Sequence, residues 1–288
     1  MRAVRRFLQL DVFADRPGLG NPLAVVLDSE GLDGAGMQAF ARWTNLSETI
    51  FLLPPSLPGA SYRVRIFTPR TEMPFAGHPS VGAAHALLET GIEAKDGELW
   101  QECEAGLLPV RFESHGAGRR ISVRAPRARV LGVDVAPHLL DAAITGMRRG
   151  ALPIALLDNG PRWWLVELEG ELAVRELQPA LDAIAALCSA TLAAGLMVFA
   201  RAASGEAAFV TRAFCPADGV DEDPVTGSAN ACVAAWLRHN GALPWRRYSA
   251  LQGREIGRDG RIDIQVDADD EVWIGGRALT VVRGEMRW

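Results

Sequence analysis

The hydrophobic positions of the first half predict short strands and one strongly apolar helix. The strand segments, separated by Gly, Pro or Asn, are residues 7–13, 23–27, 48–53 and 62–67. An amphipathic helix is predicted at 37–44, and residues 80–88 are apolar on nearly every side of a helix. A helix that is apolar all round is a buried one. Strands without β-α-β alternation around such a helix predict a sheet wrapped about it.

The second half repeats this order of elements. Its strands are predicted at 163–168, 195–200, 208–214, 262–266, 272–274 and 279–282. A helix is predicted at 177–190, and a second strongly apolar helix at 229–238 ends at Asn240-Gly241. The pattern therefore predicts an α+β protein in which each half is built around its own central helix.

A motif that occurs once in each half indicates that one domain was duplicated. Both halves contain an R-x-F-x-P strand end followed by P-x-x-G-x-A. The copies begin at Arg65 and Pro79 in the first half and at Arg212 and Pro224 in the second. The first parts lie 147 positions apart and the second parts 145, and half of 288 is 144. A period this long favours duplicated domains over a solenoid, whose repeats are about 20–50 residues long.

The domain boundaries follow from the position of the repeat. We predict an N-terminal domain of residues 1–122, completed by the C-terminal strand 277–288, and a C-terminal domain of residues 123–276. The segment 116–127, which is rich in Gly and Arg, is the predicted crossover between the halves.

Composition and charge exclude several classes of function. The net charge is -5 and the chain has no basic cluster, which argues against nucleic acid as a partner. No run approaches the roughly 18 apolar residues of a membrane span. The four cysteines are scattered, without a C-x-x-C pair or a histidine at ligand spacing, so neither a metal site nor a disulfide is predicted. We therefore expect a cytoplasmic protein.

The starts of the two apolar helices are candidate anion sites. The first N–H groups of a helix have no partner within it, and the helix dipole adds positive charge there. The two starts, at 77–82 and 224–229, place proline where the first helical position is expected. If the halves face each other, these starts form one pocket for a small carboxylate. The alternative is ordinary capping, with Asp223 and Ser228 satisfying helix N–H groups.

Two titratable residues are candidates for proton transfer. His78 lies between Gly77 and Pro79, where the backbone has little freedom. Glu48 follows Asn45-Leu-Ser47 and begins an apolar strand, which places its carboxyl at the rim of a core. A partly buried glutamate has a raised pKa and can serve as both base and acid near neutrality. The alternatives are a solvated glutamate and a loop histidine without a role.

The chain resembles the PhzF (phenazine biosynthesis-like) family in an ordered set of motifs that spans positions 11 to 258. These motifs are Asp11-Val-Phe, Gly20-Asn21-Pro22-Leu-Ala-Val-Val, Asn45-Leu-Ser-Glu48-Thr, Phe67-Thr-Pro, Phe75-Ala-Gly77-His78-Pro79, Asp223-Pro-Val-Thr-Gly227-Ser228-Ala and Gln252-Gly253-Arg254-Glu-Ile-Gly257-Arg258. One departure follows the last motif: Asp259-Gly260 stands where relatives usually have Pro-Ser, which we expect to loosen a peripheral turn.

The resemblance implies the diaminopimelate epimerase-like fold, with two pseudo-symmetric domains and an active site between them. It implies that Glu48 is the acid/base, and that His78, Asp223 and Ser228 line the same pocket. The amides around Gly77 and Gly227 are implied to hold a substrate carboxylate. The family is cofactor-free and commonly dimeric, so no cofactor and no metal are expected, and a homodimer is. Asn21, in its Gly-Asn-Pro turn, is a further candidate for substrate contact.

Three other functions are alternatives to this one. A thiol racemase needs a cysteine at each helix start, where this chain has Gly77-His78 and Gly227-Ser228. A hydrolase would use Ser228 with His78 and Asp223, but Ser228 is not in a G-x-S-x-G elbow. A non-catalytic binding or scaffold protein would retain the fold without catalysing a reaction.

We therefore predict a cofactor-independent isomerase that moves a proton between carbons of a small, cyclic amino or hydroxy carboxylate. Glu48, His78 and Asp223 are the predicted catalytic residues. Substrate binding is assigned to Asn21, Gly77, Gly227 and Ser228.

Overall fold

The chain forms two compact units, of which the first consists of two separate segments of the sequence and the second of one. The computed structural model describes residues 3–94, 97–115, 118–134, 136–203 and 205–288. The first unit comprises Met1–Pro126 and Gly275–Trp288, and the second comprises Arg127–Ile274. The C-terminal segment therefore belongs to the first unit.

The described residues of the first unit form eight strands and two helices before the chain leaves it. They are β1 (Val4–Val12), β2 (Asn21–Val26), α1 (Gly34–Thr44), β3 (Glu48–Leu53), β4 (Tyr62–Phe67), β5 (Glu72–Met73), α2 (Gly77–Glu89), β6 (Glu98–Cys103), β7 (Gly106–His115) and β8 (Gly118–Arg124).

The second unit follows, and the last strand returns to the first unit. The elements are β9 (Arg129–Leu131), α3 (Pro137–Ala143), β10 (Ala155–Asp158), β11 (Arg162–Glu167), α4 (Glu171–Arg175), α5 (Leu181–Thr191), β12 (Gly195–Arg201), β13 (Phe209–Cys215), β14 (Val220–Asp223), α6 (Gly227–His239), β15 (Arg247–Gln252), β16 (Gly260–Val266), β17 (Val272–Gly276) and β18 (Ala278–Arg287). Short 3-10 helices lie at Pro216–Asp218 and Arg254–Ile256.

Strand pairing has the same order and direction in the two units. In the first, β1–β2 is antiparallel, β2–β3 parallel, β3–β4 and β4–β5 antiparallel, β4–β6 parallel and β6–β7 antiparallel. In the second, the same sequence runs from β10 to β16, with parallel pairs β11–β12 and β13–β15. This topology confirms the predicted fold class of two pseudo-symmetric domains.

One strand completes each unit after a crossover. The last strand, β18, pairs antiparallel with β1 of the first unit. In the second unit β9 pairs antiparallel with β10, which occupies the place of β1 in the repeat. The two crossovers follow the same pattern. β9 comes directly after β8, the last strand before the chain enters the second unit, and β18 comes directly after β17, the last strand before the chain returns to the first.

The helices α2 and α6 are the central helices. Nine of the thirteen residues of α2 are buried, and ten of the thirteen residues of α6. The helix α2 packs against β1, β2, β3, β4, β8 and β18, and α6 packs against β10, β11 and β16. Such burial explains why both sequences lack a polar face. The helix α1 differs, since it buries only Met37, Phe40 and Ala41.

Several boundaries and elements differ from the sequence predictions. The central helices begin at Gly77 and Gly227, within the predicted starts 77–82 and 224–229 and before the apolar runs 80–88 and 229–238. The segment 118–124, predicted as part of the crossover, forms β8, and 116–117 lie outside the described residues. The strands β6, β7 and β15 were not predicted because charged residues interrupt their apolar positions.

Close backbone packing at Gly275 gives a test of the fold. A Cβ at Gly275 would lie 2.4 Å from the carbonyl oxygen of Ile121 and 2.8 Å from Cβ of Ser122. We expect Gly275→Ala to lower the free energy of unfolding by about 1–3 kcal/mol, as overpacking does. Gly132→Ala is the control, because a Cβ there meets no described atom within 4 Å. Equal urea midpoints for the two variants would contradict the packing.

Candidate active site

In the first unit, Glu48 and His78 lie side by side. Glu48 is the first residue of β3, opposite Leu23 of the parallel strand β2. His78 is the second residue of α2. Its Nε2 atom is 3.3 Å from Oε2 of Glu48, and the two side chains are 2% and 14% exposed. A strand start and a helix start therefore bring an imidazole and a carboxylate together at the edge of the core.

Asn21 fixes the tautomer of His78. The Ser47 hydroxyl donates to Oδ1 of Asn21 at 2.8 Å, which leaves the amide Nδ2 of Asn21 facing Nδ1 of His78 at 3.3 Å. An amide nitrogen only donates, so Nδ1 of His78 is the acceptor and Nε2 carries the ring proton. The protonated Nε2 is the ring nitrogen that lies 3.3 Å from Oε2 of Glu48. The hydrogen bonds run from Ser47 to Asn21 and from Asn21 to His78.

Burial keeps His78 uncharged. It lowers the pKa of the imidazole from its ordinary 6.5 to about 3, because the charged ring would lose its hydration. His78 is therefore a neutral hydrogen-bond donor at neutral pH and a weak base. The carboxylate beside it faces a dipole and not an imidazolium cation.

The first turn of α2 carries no side-chain cap. Ala76 precedes the helix in an extended conformation and offers no side-chain hydrogen bond. The expectation that Pro79 and Pro224 stand at the first helical position was wrong. Pro79 is the third residue of α2, and Pro224 lies three residues before α6.

In the second unit, Ser228 occupies the place that His78 holds in the first. Each is the second residue of its central helix, after Gly77 or Gly227. The Ser228 hydroxyl accepts a hydrogen bond from Nε1 of Trp163 at 3.1 Å, and its main-chain oxygen accepts from Asn159 at 2.9 Å. All of these groups are buried.

Asp223 ends β14, next to the loop that leads into α6. Its Oδ2 atom accepts a hydrogen bond from the Thr226 hydroxyl at 2.6 Å. Thr226 is the residue before α6, and its side chain makes no capping hydrogen bond to that helix. Ser228, as the second residue of α6, is not its N-cap, so the capping interpretation is wrong for Ser228.

A buried glutamine holds each of these helix starts. Gln252, at the end of β15, donates to the main-chain oxygen of Asp223 and to the Thr226 hydroxyl, both at 2.9 Å. Its side-chain oxygen accepts from the Thr226 amide and from Asn230.

In the first unit, Gln101 of β6 donates to the Ser80 hydroxyl at 2.8 Å, and that hydroxyl donates to Ala76. Ser80 and Asn230 are both the fourth residue of their helix. A glutamine in the strand after each central helix was the signal that sequence analysis left unused.

The arginine of each R-x-F-x-P motif is structural. Arg65 forms two hydrogen bonds to Glu72 at 2.6 Å, and Arg212 forms two to Glu222 at 2.8 and 2.9 Å. Each guanidinium also lies about 5 Å from the phenylalanine ring of its motif.

The ion pairs of the two motifs correct the register of the repeat. Glu72 and Glu222 are 150 positions apart, as are Gly77 and Gly227. The second copy is thus longer by three residues, the number in the 3-10 helix Pro216–Asp218. Asp223 consequently corresponds to Met73 of the first unit.

The predicted site residues form one group in each unit. Asn21, Glu48, Gly77 and His78 lie together in the first unit, and Asp223, Gly227 and Ser228 lie together in the second. Sequence analysis missed Ser47, Asn159, Trp163, Thr226 and Gln252. In the sequence, these five residues are recognisable only as polar or aromatic residues beside apolar strand segments.

Thiol and metal chemistry are two further possibilities at this site. Cys232 is the sixth residue of α6 and burial raises the pKa of its thiol, so it is not poised as a thiolate. Among the described residues, no cluster of three or more His, Cys, Asp or Glu could hold a metal ion. In the same part of the chain, no helix combines the length and hydropathy needed to cross a membrane.

Comparison with known structures places the fold in the epimerase-like class. A phenazine biosynthesis protein of the PhzF family from Bacillus anthracis superposes with a TM-score of 0.82 at 26% identity, covering 99% of both chains. A hydroxyproline epimerase from Agrobacterium vitis has the same fold, with a TM-score of 0.74, 16% identity and coverage of 99% of this chain and 93% of its own.

The sequence comparisons define the family more narrowly. Residues 10–284 match the phenazine biosynthesis-like protein family, PhzC-PhzF, and the chain belongs to that family. The trans-2,3-dihydro-3-hydroxyanthranilate isomerase of Pseudomonas aeruginosa is 37% identical over 93% of this chain and 92% of its own. Antisense-enhancing sequence 1 of Schizosaccharomyces pombe is 32% identical over 97% of both. With isomerases among its relatives and an epimerase fold, the protein is an isomerase.

The neutral state of His78 can be measured directly. Since its pKa is lower in the folded than in the unfolded protein, the folded state binds fewer protons below pH 6.5. We expect stability to fall as the pH drops from about 6.5 toward 3, by up to about 1.4 kcal/mol per pH unit from this residue. The imidazole C2–H resonance of His78 should stay constant above pH 5. His78→Gln should reduce the pH dependence, and a titration midpoint near 6.5 in the folded protein would contradict it.

Proposed function

We propose that this isomerase moves a proton between two carbons of a small cyclic amino or hydroxy carboxylate, with Glu48 as the acid/base and no cofactor. The observation that carries the proposal is the pair formed by the Glu48 carboxylate and the buried, neutral imidazole of His78. A base that takes a proton from one carbon and returns it to another must hold that proton away from water. Glu48 is mostly buried and suits this requirement.

The orientation of His78 assigns the roles within the pair. Its Nδ1 lone pair accepts from Asn21, and its pKa of about 3 makes it a poor base. The proton acceptor is therefore Glu48. Through its Nε2–H, His78 stabilises the carboxylate or donates to a substrate oxygen when the substrate is bound. A neutral donor serves this purpose without binding the carboxylate as tightly as an imidazolium would.

The starts of α2 and α6 suit a substrate carboxylate. Both helices begin with a glycine and without a side-chain cap, and a helix N-terminus carries partial positive charge. We propose that Gly77, Gly227 and Ser228 bind the carboxylate and that Asp223 and Asn21 contact an amine or hydroxyl. The family resemblance supports the further proposal that both units contact one substrate molecule.

The name of one relative suggests the class of substrate to test first. The trans-2,3-dihydro-3-hydroxyanthranilate isomerase of Pseudomonas aeruginosa acts, by its name, on a ring that carries amino, hydroxyl and carboxylate groups. A compound of this class offers a group for each polar residue assigned above. The homodimer and the cytoplasmic compartment expected from the sequence stay predictions.

Proton exchange with solvent tests the proposal. In deuterium oxide, wild-type protein should isomerise trans-2,3-dihydro-3-hydroxyanthranilate, and part of the product should carry deuterium at the carbon that gains the proton, because Glu48 exchanges with solvent in some of the turnovers. Glu48→Gln should lower the rate by about 10²–10⁴, the usual contribution of a general acid/base. Glu98→Gln is the control, because Glu98 forms an exposed ion pair with Arg111 away from these residues. Mass spectrometry measures the incorporation.

Two results would contradict the proposal in different ways. Equal incorporation by wild type and Glu48→Gln would remove Glu48 from the chemistry. Binding of the compound by the wild type without any exchange would instead indicate a binding protein or a different substrate. Intact thermal stability of Glu48→Gln is required for either conclusion.

A further inference from the structure

Trp163 is a buried aromatic residue that contacts Ser228 in the second unit. It is the second residue of β11, and its indole N–H donates to the Ser228 hydroxyl at 3.1 Å. Asn159, in the turn before that strand, donates to the main-chain oxygen of Ser228 at 2.9 Å. Ser228 is therefore held at both its side chain and its backbone.

The indole determines which way the Ser228 hydroxyl can bond. An indole N–H only donates, so Ser228 Oγ is the acceptor in this pair. A hydroxyl has one proton, and that proton remains to be donated to another group. The indole occupies one of the two lone pairs of the hydroxyl, and this favours a ligand atom that accepts the remaining proton, as a carboxylate oxygen does.

The repeat shows what Trp163 replaces. In the first unit, Leu23 of β2 stands opposite Glu48 of β3, and Leu23 lies against Gly82 of α2. In the second unit, Trp163 stands opposite Gly195 at the corresponding pair of positions. The register to the next strand agrees, because Thr49 pairs with Phe67 and Leu196 pairs with Phe214.

The Trp163 ring also occupies the space that a side chain at position 195 would need. A Cβ at Gly195 would lie 2.6 Å from Cζ3 of Trp163 and 2.5 Å from the main-chain oxygen of Phe214. Real Cβ atoms do not approach other atoms so closely. A glutamate at this position, equivalent to Glu48, is therefore sterically excluded.

We propose that Trp163 is a positioning residue that fixes the Ser228 hydroxyl as a donor to a substrate carboxylate, in a unit where the packing around Gly195 leaves no space for a second acid/base. The proposal rests on the function proposed above for the identity of the acceptor as a carboxylate. It makes the second unit a binding half and leaves proton transfer to the first.

The test uses ligand binding, which does not require turnover. Anthranilate is the probe, and its dissociation constant is measured by calorimetry for wild type, Trp163→Phe, Ser228→Ala and the double variant. Phenylalanine retains an aromatic ring and removes only the donor and part of the ring. Trp164→Phe is the matched control, because the neighbouring Trp164 is equally buried and its indole donates to Thr191 at 3.0 Å.

If Trp163 acts through Ser228, the two substitutions are not additive. We expect Trp163→Phe to weaken binding about tenfold, the loss of one oriented hydrogen bond, and Trp164→Phe to leave it unchanged. The double variant should bind no more weakly than Ser228→Ala alone. A residue at position 163 without a hydrogen-bond donor should not restore the wild-type affinity for anthranilate.

The opposite results overturn the proposal. These are wild-type affinity in Trp163→Phe, an additive loss in the double variant, or no binding of millimolar anthranilate by the wild type. Loss of proton exchange with an intact coupling between positions 163 and 228 would instead refute the proposed reaction and leave the role of Trp163 standing.

Discussion

Each unit of this protein buries a whole helix, and that burial constrains the polar groups at the start of the helix. Side chains at such a buried start need partners within the protein. In both units, a glutamine from the strand after the helix bonds them: Gln101 bonds the Ser80 hydroxyl, and Gln252 bonds Asn230, the Thr226 hydroxyl and the main-chain oxygen of Asp223. The position of the second helical residue, His78 or Ser228, follows from this anchoring. The candidate active site is thus built on helix starts that are buried and anchored by hydrogen bonds.

The two units share this framework and differ in the side chains that it presents. The Arg–Glu pair of each motif, the central helix and the buried glutamine occur in both. Three corresponding positions have diverged, and the pairs are Glu48 with Gly195, His78 with Ser228, and Met73 with Asp223. The first unit has the Glu48 carboxyl beside a neutral imidazole, and the second has hydrogen-bonding groups. This asymmetry distinguishes the protein from a racemase with two equivalent thiols.

The sequence predicted the framework better than its details. Apolar character on every side of two helices was enough to predict central helices, and the R-x-F-x-P repeat was enough to predict duplication. Within the predicted starts 77–82 and 224–229, the first helical residues Gly77 and Gly227 could not be predicted, because glycine and proline indicate a turn whether or not the helix has begun. The partners of Ser228 could not be predicted, since Trp163 is 65 positions away and reaches Ser228 only through the pairing of strands. Asn21 was named as a candidate, but its contact with His78 depends on the fold of β2 beside α2.

The central claim is that one carboxylate, Glu48, performs both proton transfers. The fate of a deuterium label in the substrate tests it most directly. A substrate deuterated at the carbon that loses its proton should give, in ordinary water, a product that keeps part of the label at the carbon that gains one, because the same shielded base carries it. Complete replacement of the label by solvent hydrogen at the earliest turnovers would contradict a single shielded base and would favour two separate groups.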